Sequence, residues 1–241
     1  IAAYKIPELI RLLKKAGAEV KVTTTNHALE FVTPLVLETL SGNKVYTDVF
    51  ATGNDHSTEH ISLPDWADLM IVAPATANII GKMAAGIADD ALSTTFLAMR
   101  KPVLVAPAMN DKMLAHPAVE RNLQIISNYD NCKVLPTAEG FLACGTTGKG
   151  RMVEPIAIFE AAKDVLTPKP LLGKKLLISA GPTQEKIDPV RYISNYSTGK
   201  MGIAIAEEAA RRGAQVTLVL GPTAIRPERN ILHPIRVVDV S

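Results

Sequence analysis

Apolar positions along this 241-residue chain follow two alternating periods. Short apolar runs of strand length are followed by stretches in which apolar residues recur every three or four positions. That alternation predicts an α/β protein with a mostly parallel sheet. Ile1-Ala2-Ala3-Tyr4-Lys5 reads as the entry to a helix in which Ile6, Leu9, Ile10, Leu13 and Ala16 share one face, with Gly17 as the stop. Thr33 and Pro34 supply an N-cap and a first-turn proline for a helix to about residue 40, with Gly42 behind it. The same reading places strands over 19–25, 68–74, 102–106 and 132–135, and helices over 79–85, 117–127 and 155–166.

The pattern breaks at Thr167-Pro168-Lys169-Pro170-Leu171-Leu172-Gly173, where two prolines exclude a helix. It then restarts with a strand over 174–180, a long polar loop from Gly181, a helix over 198–212 and a strand over 214–220. One such unit is too little for an independent Rossmann-type domain. The expected organisation is therefore a nearly complete domain over 1–168 and the opening of a second over 169–241. A doubly wound sheet ordinarily begins on a strand, so a strand upstream of Ile1 is also expected.

Composition narrows the function classes. A net charge of +2 calls for neither nucleic acid nor an anionic membrane as partner. No apolar run is long enough to span a bilayer and no leader peptide is recognised. Two cysteines, Cys132 and Cys144, cannot build a disulfide framework and lack zinc-ligand spacing, so a cytoplasmic setting and no metal site are expected.

In an open α/β sheet, ligands sit beyond the carboxyl ends of the strands. Thr23-Thr24-Thr25-Asn26 could cradle a phosphate, although by itself it reads as a helix cap. In Ala73-Pro74-Ala75-Thr76-Ala77-Asn78, small residues admit a flat ring and Thr76 and Asn78 can hydrogen-bond it; a plain strand-to-helix turn accounts for it as well. Pro107-Ala108-Met109-Asn110-Asp111-Lys112-Met113 presents the Asn110 amide to a carboxylate or carbonyl, while Met113 alone could be core filler. The run 143–152 sets Cys144 among Gly145, Gly148 and Gly150, the composition of a mobile lid with a proton donor in it. His60, one of five histidines, carries no weight on its own.

Taken in order, these segments resemble the flavin-dependent cysteine decarboxylases, and within them the bacterial branch fused to a phosphopantothenate–cysteine ligase. Ile1 to Lys5 is similar to the tail of that family's Gly-Gly-Ile-Ala-Ala-Tyr-Lys opening. His60 in Glu-His-Ile-Ser-Leu matches its active-site histidine. Residues 107–113 fit its Pro-x-Met-Asn-x-x-Met substrate motif, with Leu114 where tryptophan is usual. Ala143-Cys144-Gly145 and Gly150-Arg151-Met152 fit the substrate flap, with Thr146 where an acidic residue is common. Ser179 to Glu185 and Ile187 to Gly202 look like the opening signature of the ligase.

The resemblance implies a flavodoxin-like FMN domain followed by the start of a second Rossmann-like domain. It implies coenzyme A biosynthesis: oxidation of the cysteine side of 4′-phospho-N-pantothenoylcysteine to a thioaldehyde, easy loss of CO₂, and return of hydride to give 4′-phosphopantetheine. In these terms His60 assists at the thiol or carboxylate, Asn110 and Met113 hold the substrate, and Cys144 protonates the enethiolate. Thr25, Ala73, Thr76, Asn78 and Met109 are the expected flavin contacts. For the second segment it implies a ligase using CTP and Mg²⁺, with Gly181, Thr183, Asn195, Ser197 and Gly199 binding substrate and Asn195 against the acyl intermediate. Phosphopantothenate and cysteine would be its other substrates, and this segment alone is not expected to ligate. A homo-oligomer is implied, trimeric through the decarboxylase domain. Two alternatives share the scaffold: a non-decarboxylase flavoprotein of the prenyl-flavin synthase or dihydromethanopterin-reductase kind, and a non-catalytic regulatory subunit. Cys144 together with the 107–113 motif and the attached ligase signature speaks against the first. The presence of both His60 and Cys144 speaks against the second.

Overall fold

The structure is a computed structural model that describes residues 1–47, 59–141, 147–227 and 234–240. The chain divides into two compact units, Ile1–Ala162 and Lys163–Ser241.

The first unit opens with a 3-10 turn at Ala2–Lys5 that runs into α1, Ile6–Lys15, whose Leu9 and Ile10 are buried. Strand β1 is only Val22–Thr23, shorter than the 19–25 expected. It pairs in parallel with β2, Val45–Tyr46, and these two make their own small sheet. Between them lies α2, Pro34–Ser41, capped by the Thr33 hydroxyl and ended by Gly42 at φ 75°. Helix α3, Glu59–Trp66, follows. The Trp66 ring carries the Lys21 ammonium 4.3 Å from its centroid, a cation–π contact that ties α3 to the entry of β1.

The main sheet has the order β3, Met70–Ala75, then β4, Val103–Pro107, then β5, Cys132–Val134, all parallel. Every residue of β4 is buried, as a central strand covered on both faces requires. Val103 and Val105 face one layer, formed by Ile79, Ile80 and Met83 of α4, Ala77–Ala85, by Phe96 of α5, Ala91–Ala98, and by Ile126 further along. By alternation, Leu104 and Ala106 face the opposite layer, and both are fully buried. Helix α6, Asp111–Leu114, is a single turn, and α7, Pro117–Ser127, contributes Ile126. A hairpin of β6, Ala138–Phe141, and β7, Thr147–Arg151, precedes α8, Pro155–Leu166.

Two expectations need correcting, and one helix was not foreseen. The helix after β3 begins at Ala77 rather than 79, because the Thr76 hydroxyl accepts the Ile79 amide at 3.5 Å and starts it earlier. Helix α5 carried no periodic signal: most of its sides are apolar and buried, and its start is an Asp90–Ser93 capping box rather than the usual acidic third position. The glycine-rich run read as a loop is, from Thr147 to Arg151, a strand.

The second unit has a parallel three-stranded sheet with β11, Gln215–Leu220, between β8, Lys175–Ala180, and β12, Arg236–Asp239. Helix α9, Lys200–Arg211, packs Ile203, Ala206, Ala209 and Ala210 on Val216, Leu218 and Leu220. The polar loop after β8 contains a second hairpin, β9, Gln184–Lys186, with β10, Tyr192–Ser194. Its turn is fixed by Asp188. Amide donation from Val190, then the Arg191 side chain and amide, hold that carboxyl below the usual range. The Lys169 ammonium donates to the carbonyls of Asp164 at 2.6 Å and Arg211 at 2.5 Å, placing a cation on two helix C-terminal turns. Among the described residues no helix is long and apolar enough to cross a membrane.

Cys132 is 4% exposed, and burial pushes its thiol up to about 11. At pH 8 its thiolate fraction is then on the order of 10⁻³. Iodoacetamide at pH 8 is expected to leave Cys132 unmodified in the folded protein and to label it after unfolding, read by peptide mass mapping. Native labelling at a rate comparable to a model thiol would contradict the burial.

Candidate functional site

The main sheet delivers its loops to one edge. At the carboxyl end of β3, Ala75 is buried and its carbonyl accepts the Ala108 amide at 2.9 Å, so the ends of β3 and β4 are fastened together. Ala73 is half-buried in β3, and the Ala73–Pro74 peptide is cis. Thr76 and Asn78 are exposed beyond the strand, Thr76 as N-cap and Asn78 in the first turn of α4. Beyond β4, Asn110 is half-buried and caps α6 through its side-chain oxygen, which accepts the Lys112 amide at 2.9 Å. This cap fixes which way the amide group turns. Met113 is 49% exposed on α6, which excludes a role as core filler.

The loop carrying Asn110 rests on the β6–β7 hairpin. Met109 donates its amide to the Gly150 carbonyl at 2.9 Å. Gly150 has φ +138°, and a Cβ there would stand 2.2 Å from the Met109 carbonyl oxygen. Only a bare backbone admits that approach. A Cβ on Gly148 would meet the Asp111 side chain at 3.0 Å, and one on Gly140 would meet Arg151 Nη1 at 2.6 Å. These glycines serve close packing of strand on loop, where composition alone suggested mobility.

At the end of β1, Thr25 is the N-cap residue of a 3-10 turn, Asn26–Glu30, without a side-chain cap bond. Its neighbour Thr24 is the more informative residue. Thr24 is 6% exposed and its hydroxyl has no hydrogen-bond partner among the described residues. A buried hydroxyl without a partner is costly, and the preference for Thr25 in the sequence could not register it. His60 belongs to α3, but its side chain lies outside the described residues, as does Cys144 altogether. The structure therefore brings Ala73, Thr76, Asn78, Met109, Asn110 and Met113 to one edge of the main sheet, and places Thr25 beyond β1 of the separate β1–β2 sheet.

In the second unit all five expected residues meet. Gly181 ends β8 at φ +90°, and its Cβ position lies 3.2 Å from the Gly221 amide; the Cβ position of Gly199 lies 3.3 Å from the Gly181 amide. Asn195 donates to the Thr183 hydroxyl at 3.3 Å and accepts the Ser197 amide at 3.0 Å. Ser194 holds the Thr183 carbonyl at 2.9 Å. The helix expected over 198–212 starts two residues later than that reading. Helix α9 starts at Lys200 with Gly199 as N-cap at φ 80°, and no side chain caps it. Its first amides are left to an anion or water. Gly202 and Gly221, not singled out from sequence, make the tightest approaches, 2.5 Å to the Ala180 Cβ and 2.1 Å to the Pro182 carbonyl oxygen. Among the described residues no group of His, Cys, Asp and Glu could hold a metal ion.

The chain is 50% identical over 98% of its length to the coenzyme A biosynthesis bifunctional protein CoaBC of Bacillus subtilis, and spans 59% of that protein. Its structure matches a cysteine-to-serine variant of PPC decarboxylase complexed with pantothenoylaminoethenethiol, with TM-score 0.61 and 32% identity over 67% of this chain and 90% of the other. It also matches the FMN-dependent cysteine decarboxylase SpaF, with TM-score 0.55 and 29% identity over 67% of this chain and 91% of the other. These likenesses give the first unit a flavodoxin-like fold. A family model described as DNA/pantothenate metabolism flavoprotein C-terminal domain matches residues 171–241, and the flavoprotein model matches residues 1–167: the chain belongs to the flavoprotein family.

Proposed function

We propose that residues 1–168 form an FMN-dependent decarboxylase acting on 4′-phospho-N-pantothenoylcysteine in coenzyme A biosynthesis, in the cytoplasm. The observation that carries this reading is the seating of the Asn110 loop on the β6–β7 hairpin through Met109 and Gly150. It sets an oriented amide at the carboxyl end of the central strand, directly beside the hairpin whose sequence continues to Cys144. The pantothenoylaminoethenethiol bound to the similar PPC decarboxylase variant, and the FMN dependence of the similar cysteine decarboxylase, support the same chemistry.

FMN fits the residues present. The small side chains of Ala73, Ala75 and Ala108 leave room for a flat ring, and the buried Thr24 hydroxyl lacks a partner among the described residues. Thr24 and Thr25, with Thr76 and Asn78, would hold the cofactor, which when bound supplies an acceptor and later a donor of two electrons. Asn110 would orient the substrate carboxylate without adding charge, and Met113 would border it. His60 would take the thiol proton. Cys144 would return a proton to the enethiolate carbon. Alanine and threonine rims cannot bury a flavin ring alone, so a homo-oligomer, a trimer in this reading, would complete the wall.

We read residues 169–241 as the opening of the ligase domain for phosphopantothenate and cysteine. The unpaired first amides of α9 beside Gly181 and Gly221 suit the phosphates of CTP, with Asn195 held toward the acyl group. Mg²⁺ bound chiefly through those phosphates needs no carboxylate cage.

The purified protein is expected to show a flavin band and to convert phosphopantothenoylcysteine to phosphopantetheine and CO₂, leaving free cysteine untouched. Cys144→Ser is expected to release CO₂ once and stop, with bleached flavin and an unreduced enethiol, followed by stopped-flow absorbance and mass spectrometry. Protein without a flavin band that does not bind added FMN would defeat the reading; turnover of free cysteine would shift it to a different substrate class.

A further inference from the structure

Lys5 is a buried cation, 8% exposed, at the junction of the 3-10 turn Ala2–Lys5 and α1. Its ammonium donates to Glu154 Oε1 at 2.7 Å, and the same oxygen accepts Arg151 Nη2 at 3.1 Å. Glu154 is anchored in turn: its carbonyl accepts the amides of Ala157 at 2.9 Å and Ile158 at 3.3 Å, where α8 begins. Arg151 closes the β6–β7 hairpin, paired with Ala138, and its guanidinium lies over the bare backbone of Gly140 on the opposite strand. The residue before it is Gly150, on which Met109 rests.

One carboxylate oxygen therefore joins the starts of α1 and α8 to the closing end of the hairpin. We propose that Glu154 is a positioning residue for the decarboxylation: by holding Arg151 against Lys5 it sets the seat of the hairpin, and through Gly150 the place of Asn110. This rests on reading the first unit as the decarboxylase. Glu154 does not touch the substrate; it acts on how well the substrate carboxylate is met. Its own side chain is 55% exposed, so a neutral replacement does not bury an unpaired group at that position.

The test uses the full flavin-loaded chain with phosphopantothenoylcysteine. Glu154→Gln keeps size and hydrogen-bond acceptance but removes the charge that two cations share. It is expected to raise KM at least fivefold with flavin content at the wild-type value, and to lower Tm because the buried Lys5 loses its counter-charge. Glu154→Asp keeps the charge but shortens the reach and is expected to raise KM as well. Lys5→Met and Arg151→Met should each raise KM, and the double variant no further than the larger single effect, because both act through one oxygen. Unchanged KM in the Gln and Asp variants, with kcat falling only in proportion to lost flavin, means a merely structural role and overturns the proposal. Multiplying effects in the double variant overturn it too. A wild-type protein that binds flavin but does not turn over the substrate overturns the decarboxylase reading and this inference together.

Discussion

Gly150→Ala is expected to lower decarboxylase turnover by at least about 100-fold, the loss that a 1 Å misplacement of a positioning group produces. The new Cβ would stand 2.2 Å from the Met109 carbonyl oxygen, a backbone atom that no rotamer change can move. The φ of +138° adds a conformational cost of roughly 1–3 kcal/mol for any residue but glycine. Relief requires the strand and the loop to part, which breaks the Met109–Gly150 hydrogen bond and releases Asn110 from its seat. Gly148→Ala is the matched control. Its Cβ would meet the Asp111 carboxylate oxygen at 3.0 Å and the Asp111 Cβ at 3.1 Å, contacts relieved by a shift of a few tenths of an ångström, and its φ is not in the left-handed region. Steady-state kinetics with flavin content measured in parallel separates the two: Gly148→Ala should retain most of its turnover. Near-normal kcat/KM in Gly150→Ala would mean that the hairpin does not position the Asn110 loop.

The second large effect is expected in the other unit. Gly221→Ala places a Cβ 2.1 Å from the Pro182 carbonyl oxygen and 3.4 Å from the Gly181 carbonyl carbon. The loops after β8 and β11 must separate, at an overpacking cost of roughly 1–3 kcal/mol. Hydrogen exchange read by mass spectrometry should then be faster by about 5- to 150-fold for protected amides of β8, α9 and β11. The amides of β3, β4 and β5 should be unchanged. Gly173→Ala is the comparison, with φ +75° but nothing within 4 Å of its Cβ position, so only the backbone preference is lost. If Gly221→Ala loosens the unit no more than Gly173→Ala does, the close approach of the two loops is wrong. Loss of nucleotide binding in Gly221→Ala would add weight to the phosphate reading of this cradle.

The contrast between these glycines and the helices locates what was legible in the sequence. Helix α7 starts at Pro117 and α8 at Pro155 as the sequence reading placed them, and both end where it placed them. A proline in the first turn and an apolar face every three to four residues are properties of neighbours in the chain. The buried β4 strand and the Thr33–Gly42 frame of α2 were readable for the same reason. Helix α5 was not, since a segment buried on several sides has no polar face to mark its period. The five residues gathered around Gly181 were picked out by a long motif, whereas the hydrogen bonds that join Asn195 to Thr183 and Ser197 belong to the folded loop.

By itself, then, the sequence determined the α/β alternation, most helix boundaries and the loops that reach the strand ends. Tertiary structure decided what those loops rest on. Gly148 and Gly150 look like a flexible run until the backbone at 107–111 is brought against them. Thr24 rather than Thr25 carries the buried hydroxyl that has no partner among the described residues, a difference of burial that adjacent identical residues cannot encode. Lys5 and Glu154 stand 149 positions apart in the chain, yet Lys5 is buried and donates to the Glu154 oxygen that also accepts Arg151. Capping and periodicity act within a turn or two of the chain, whereas close approach, burial and shared charge depend on segments that only folding brings together.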